Sequence, residues 1–262
     1  DTQSGGGGTA ITDAGTLNSN QNKDLYLQST AETITVNGNL NDPQTIGDGT
    51  GVGIFAEGGV TTLNLDNAGA TAASTLSING DIEGDSAGAD NLSLDVTNNA
   101  TTQDLTVAVD GDLLTSDGSV SVTSSPNATA LSVAGDKTGT GAITLDGQNG
   151  GVASLSLNGT TTQTVNGTIN AVSASPDTNI VLDNTNGVAF GGVVGGSQAV
   201  ESLAVNSGGA TFSSAATFSG DVTGTGTMTN EDAINVCGII SVDDVDINTN
   251  GDITLDGGSL QT

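Results

Sequence analysis

The sequence predicts an all-β chain wound as a parallel β-helix, a β-solenoid with irregular coils, and three observations predict it. Apolar and polar residues alternate over short stretches again and again, as in LNL at Leu63–Leu65, LSI at Leu76–Ile78 and LTVAV at Leu105–Val109. Alternation of period two marks a short strand with one face buried. Asn-Gly or Asp-Gly follows many of these units, at Asn79-Gly80, Asp110-Gly111, Asp146-Gly147, Asn158-Gly159 and Asn166-Gly167 among others. Finally, 40 glycines are scattered through the chain and no apolar stripe of helical spacing interrupts them; each glycine inside a helix would cost roughly 1 kcal/mol.

Taken in order, residues 1–24 carry a run of four glycines at Gly5–Gly8 and few apolar positions, and are expected to be a flexible arm. Strand units begin at LYL (Leu25–Leu27) and continue through ITV (Ile34–Val36), LNL, LSI, LSL (Leu92–Leu94) and LTVAV. LSV (Leu131–Val133), ITL (Ile143–Leu145), LSL (Leu155–Leu157), LAV (Leu203–Val205), INV (Ile234–Val236), VDI (Val245–Ile247) and ITL (Ile253–Leu255) complete the series. The domain is therefore expected to span 25–262. Its inward positions should include Leu63, Leu65, Leu76, Ile78, Leu92, Leu94, Ile143, Leu145, Leu155 and Leu157.

The competing architecture is a pair of antiparallel β-sandwiches, with the Asn-Gly dipeptides in hairpin turns. A sandwich core about 10 Å thick needs longer strands and more inward bulk than these units supply. The aromatic residues number only Tyr26, Phe55, Phe190, Phe212 and Phe218. A narrow solenoid needs only a few aliphatic side chains per coil, each stacked on its equivalent in the next. LNLDN at Leu63, LSLDV at Leu92, ITLDG at Ile143 and IVLDN at Ile180 read as one recurring face, and NGDI, DGDL, NGTI and SGDV as a recurring corner. The strict nine-residue calcium repeat is absent.

The phrases ATFSGDVTGTGTMTN, GGVTTLNLDNAGA and STLSINGDI resemble the passenger domains of bacterial autotransporters and filamentous-haemagglutinin-like surface proteins. The resemblance implies a right-handed parallel β-helix on a bacterial exterior, acting as stalk, adhesin or coat.

Charge and residue inventory exclude several functions. Two basic residues, Lys23 and Lys137, face 30 acidic ones for a net charge of −28, so nucleic acid and anionic lipid are repelled. No apolar run is long enough to span a bilayer. Histidine is absent, which removes Ser-His-Asp and Cys-His catalysis, and we expect neither an enzyme nor a required cofactor. GDGTGVG at Gly47–Gly53 lacks the lysine of a phosphate cradle and is expected to be a flexible loop. The single Cys237 is expected to be a small buried apolar residue, with an intermolecular bridge as the alternative. The chain starts at Asp1 without an initiator Met, as the mature product of a cleaved export signal would.

Calcium is the one ion the sequence suggests. Asp243, Asp244 and Asp246, with Glu231 and Asp232 upstream, offer hard oxygen ligands; a solvated acidic edge that discourages stray strand pairing is the alternative. DNTNG at Asp183–Gly187 and DGQNG at Asp146–Gly150 read as turns.

The strand pattern persists almost to the end of the chain in GDITLDGGSLQT, so Ile253, Leu255 and Leu260 are expected to form an assembly face. From these readings we expect a secreted structural subunit that associates with itself, end to end, into an extracellular filament, tube or surface layer. The alternative is a bacterial surface adhesin that binds a host glycan or protein.

Overall fold

In a computed structural model, the described residues are 2–4, 9–12, 25–29, 33–37, 44–47, 51–58, 62–66, 73–84, 92–100, 102–115, 117–172, 177–247 and 253–255. They contain strands and no helix, and the strands form a parallel β-helix of three faces. Sheet A has 11 strands and sheet C has nine. Sheet B has a seven-stranded and a three-stranded part, joined through single-residue bridges from Ile169 to Val194 and from Val194 to Ala216. The narrowing coincides with the segment FGGVVGGSQ, where four glycines leave too few side chains to sustain a strand.

Each coil visits A, B and C in turn. One coil runs Lys137–Thr138 (A), Ile143–Gly147 (B) and Ala153–Leu157 (C), and the next begins with Gln163–Val165 (A). Pairing is parallel throughout, as between Leu94–Asn98 and Val120–Ser124 or between Leu105–Val109 and Thr129–Val133. The antiparallel sandwich is thereby ruled out. Asn79-Gly80, Asp110-Gly111, Asn158-Gly159 and Asn166-Gly167 pass the chain to the next face instead of folding it back on the strand it has just left.

Burial follows the predicted alternation: Leu105–Val109, Val120–Ser124 and Ala153–Leu157 each bury their first, third and fifth residues. All ten residues expected inside are inside, none more than 1% exposed. In register they form ladders. Leu76, Val107, Leu131, Leu155, Ile180, Leu203 and Val222 make one column under sheet C. Leu63, Leu94, Val120, Ile143 and Ile169 make one under sheet B. Near the narrower end the filling becomes aromatic. Phe190 and Phe212 stack with ring centres 5.0 Å apart, and Phe218 meets Phe212 edge-on at 6.0 Å. Three rings compensate for shorter strands with fewer inward positions.

Coil length varies, which is why no strict period is visible. A coil takes 31 residues from Asp81 to Asp112, 24 from Asp112 to Asp136 and 18 from Asp221 to Ile239. Within the segment expected to be an arm, Thr2–Ser4 and Thr9–Thr12 are strands that pair with Leu27–Ser29 and Ile34–Asn37. The rest of that segment lies outside the described residues.

Three local expectations need correction. Asp146-Gly147 is not a corner: Gly147 closes the strand Ile143–Gly147, and the chain turns after it at Asn149 (φ 53°) and Gly150 (φ 84°). The stretch Gly47–Gly53 is not wholly a loop, because the strand Val52–Gly58 begins inside it. Cys237 is exposed, since it stands one residue past the inward Val236, where the chain leaves the strand Ile234–Val236.

Candidate functional site

A buried polar network lies at the corner where sheet C hands the chain to sheet A. Gln163 and Asn184 are fully buried there. Gln163 Nε2 donates to the carbonyls of Val133 at 3.0 Å and Gly135 at 2.7 Å. Its Oε1 accepts from Gly159 N–H and from Asn184 Nδ2, both at 2.8 Å. Asn184 Nδ2 also donates to Thr161 O at 2.7 Å, and Asn184 Oδ1 accepts from Asn186 N–H at 2.8 Å. This satisfied network spans consecutive coils, and buried amides that are fully paired fix a geometry instead of destabilising it. It also makes DNTNG a turn, as expected, with Gly187 at φ 88°.

Above the network the surface is notched. Thr162, Gly187, Gly209 and Thr227 hold equivalent positions in four successive coils. The two middle members have no side chain, so the row dips between two threonines. The hollow measures about 350 Å³ and is lined by Thr162, Asn186, Gly187, Gly209, Thr211 and Thr227 among others, with no charged residue. Asn186 Nδ2 is tied to Thr160 O at 2.6 Å, and Thr162 Oγ1 donates to Asn186 O at 3.2 Å, so both are held in place. A second hollow of about 210 Å³ lies on the sheet C side of the same corner, in coils nearer the N-terminus, over Ser77, Asn79, Ala108, Asp110, Ser132 and Asn158. No family model, curated protein or solved structure matches the chain. The functional reading therefore rests on the residues themselves.

The acidic residues proposed for calcium fall into two groups. Glu231 and Asp232 follow the end of the strand Thr227–Asn230, whereas Asp243 and Asp244 stand at the start of its neighbour Asp244–Ile247. Register pairs Thr227 with Asp244 and Thr229 with Asp246, so most of a strand's length separates Glu231 and Asp232 from Asp243 and Asp244, while position 246 falls two residues short of the level of Glu231. Glu231 Oε2 accepts from Ser213 Oγ at 3.0 Å and Asp232 Oδ1 from Ala233 N–H at 2.7 Å. Asp243 and Asp244 are exposed, and the side chain of Asp246 lies outside the described residues. No group of three or more His, Cys, Asp or Glu among the described residues is placed to hold a metal ion. Of the expected assembly residues, Ile253 and Leu255 lie in the strand Ile253–Leu255, in register with Ile234 and Val236; Leu260 lies outside the described residues.

Two features escaped the sequence reading. Gln163 and Asn184 occupy inward positions of a strand and a corner, where alternation predicts an apolar residue or none. Lys137 continues an apolar column of sheet A, between Leu113 and Val165, and is 2% exposed. Its Nζ donates to Gly139 O at 3.1 Å and to Gly141 O at 2.6 Å. Burial pulls its pKa down to about 8, partly opposed by the Asp117 carboxylate. The dipeptide Asp136-Lys137 in AGDK, an echo of NGDI and DGDL with Lys in place of Ile or Leu, is the signal that could have found it.

Proposed function

We propose that the chain is a structural subunit of an extracellular bacterial assembly, that it carries no catalytic centre, and that copies join end to end. The supporting observation is the ladder itself. Every coil offers the next a parallel edge in three sheets and columns of inward apolar side chains, so a coil of another copy can continue the stack on the same terms. Among the described residues the sheets finish on Ile240–Ser241, Asp244–Ile247 and Ile253–Leu255 at one end, and on Thr2–Ser4, Thr9–Thr12 and Gln44–Ile46 at the other. These edge strands are two to four residues long at both ends, and Ile240, Val242 and Val245 near one end are only partly covered. Short edges limit stray pairing while leaving a matched one possible. With only Lys23 and Lys137 as basic residues, the chain offers few sites to trypsin-like proteases, which suits an exposed extracellular role.

Electron microscopy and sedimentation of the purified chain at high concentration, with salt and calcium present, test the reading. Filaments, tubes or sheets with a 4.8 Å axial repeat support it, and deleting 251–262 should abolish them while the chain stays folded. A chain that stays monomeric under all these conditions refutes it. The uncharged hollow over sheet A favours the second reading, a surface adhesin, and is developed next.

A further inference from the structure

The hollow at the corner between sheets C and A is built, uncharged and of ligand size, and we propose that it binds a neutral oligosaccharide. The inference does not depend on assembly, since all its residues belong to one chain and to consecutive coils.

Four observations carry it. The volume, about 350 Å³, falls in the range of small-molecule sites and suits one to two sugar rings. The notch is cut into the ladder by Gly187 and Gly209 between Thr162 and Thr227. A side chain at Gly209 would run towards Thr227 Oγ1, only 2.6 Å from the position of its Cβ, and fill the space. The rim presents hydroxyls and an amide, from Thr162, Thr185, Asn186, Thr211 and Thr227. Thr211 and Thr227 spend no hydroxyl on the described protein, and Asn186 keeps its Oδ1 free, so donors and acceptors point outward in the mixture that sugar hydroxyls require. The rim is also rigid, because Gln163 and Asn184 lock the corner below it. A preorganised rim loses little freedom when it binds.

The charge pattern narrows the ligand. Thirty carboxylates cover this chain, yet none lines the hollow, and a polyanionic glycan would still be repelled by the rest of the surface. A peptide has less to hold: the strands beside the notch, Gln163–Val165, Val188–Phe190, Gly209–Phe212 and Thr227–Asn230, are already paired with one another, and there is neither an apolar anchor pocket nor a charge to engage. The second hollow, along the same corner in coils nearer the N-terminus, gives an extended oligosaccharide a further place to rest.

The test is saturation-transfer NMR and calorimetry of the full chain with maltotriose, cellotriose and tri-N-acetylchitotriose, and with a heparin-derived tetrasaccharide as the acidic comparison. At least one neutral trisaccharide is expected to bind in the millimolar range or tighter, and the acidic one not at all. Ala189→Trp places an indole in the hollow from an outward position of sheet A and should weaken binding by about tenfold or more. Thr211→Val, which keeps the shape and removes a hydroxyl, should weaken it several-fold with circular dichroism and melting unchanged. The inference is overturned if no neutral trisaccharide binds, if the acidic one binds as well as the neutral ones, or if affinity survives both substitutions in folded protein. A filament that forms in any of these cases leaves the structural reading standing, so the two fail separately.

Discussion

Lys137 shows how one residue can depart from its column and remain tolerable. An ammonium in an aliphatic stack would be costly if unpaired, but two backbone carbonyls accept its protons at a corner. The cost that remains appears in its pKa of about 8 against an ordinary 10.5. Below pH 8 both the folded and unfolded chains carry the charge, and the folded chain bears the full penalty. Between about pH 8 and 10.5 the unfolded chain binds the extra proton, so stability rises with pH. We expect denaturant titrations of the wild type to gain about 1–2 kcal/mol, after discounting for solvent screening, relative to Lys137→Met between pH 7.5 and 10. Parallel pH profiles for the two proteins would show that Lys137 is not desolvated.

The Gly-Asp turn repeats faithfully, before three strands of sheet A and, in SGDV, at a different corner before a strand of sheet C. In NGDI, DGDL and AGDK the aspartate reaches along the axis to the next coil: Asp81 Oδ1 accepts from Asp112 N–H, Asp112 Oδ1 from Asp136 N–H and Asp136 Oδ1 from Thr164 N–H, each at 2.7 Å. In SGDV, Asp221 Oδ1 accepts from Ile239 N–H at 2.8 Å. The preceding glycine is required by contact: a Cβ at Gly135 would sit 2.5 Å from the carbonyl carbon of Gly111. Each carboxylate thus satisfies a backbone donor that the turn would otherwise leave unpaired. Asp112→Ala should therefore cost about 1.5–3 kcal/mol, and Asp112→Asn, which keeps an acceptor, clearly less. Gly135→Ala should cost about 1–3 kcal/mol through overpacking against backbone that cannot rotate away. Chemical denaturation of the three variants checks both, and equal losses for Ala and Asn at position 112 would show that the carboxylate does not cap.

At the scale of the whole molecule, the 11 strands of sheet A among the described residues span about 50 Å at about 4.8 Å per coil, and the chain bears a net charge of −28. Self-repulsion opposes the compact state and is relieved by salt, so melting temperature should rise with sodium chloride. It should also rise on mild acidification. Burial raises the pKa of Asp95, and burial with help from Asp177 raises that of Glu201. For both, the folded chain binds the extra proton, so stability grows as pH falls through their folded pKa values towards the ordinary carboxylate range. Scanning calorimetry from pH 7 down to about pH 4, the ordinary carboxylate range, reads the sign directly, and a falling melting temperature would mean that carboxylate hydrogen bonds such as those at the corners outweigh repulsion. Calcium and chelator at matched ionic strength separate screening from binding: a calcium-specific rise marks a site, and equal melting temperatures leave screening alone.

The sequence by itself determined the class of fold, the inward columns and the Gly-Asp turn, but not one recurring corner: NGDI and DGDL lie where sheet C passes to sheet A, NGTI where A passes to B and SGDV where B passes to C. Those follow from period-two alternation and from Gly-Asp dipeptides, which are local rules written into each coil. Tertiary structure decided what depends on register between coils that are far apart in sequence and unequal in length. Only stacking sets Gly187 beside Gly209 between Thr162 and Thr227 to open a hollow, places Gln163 against Asn184 beneath it, and puts Lys137 inside while Cys237 stands outside. Stacking likewise separates Glu231 and Asp232 from Asp243 and Asp244, which look like neighbours along the chain. A residue's alternation shows which side of a strand it occupies, but its neighbours a coil away are chosen by the lengths of the corners between them, and those lengths follow no period.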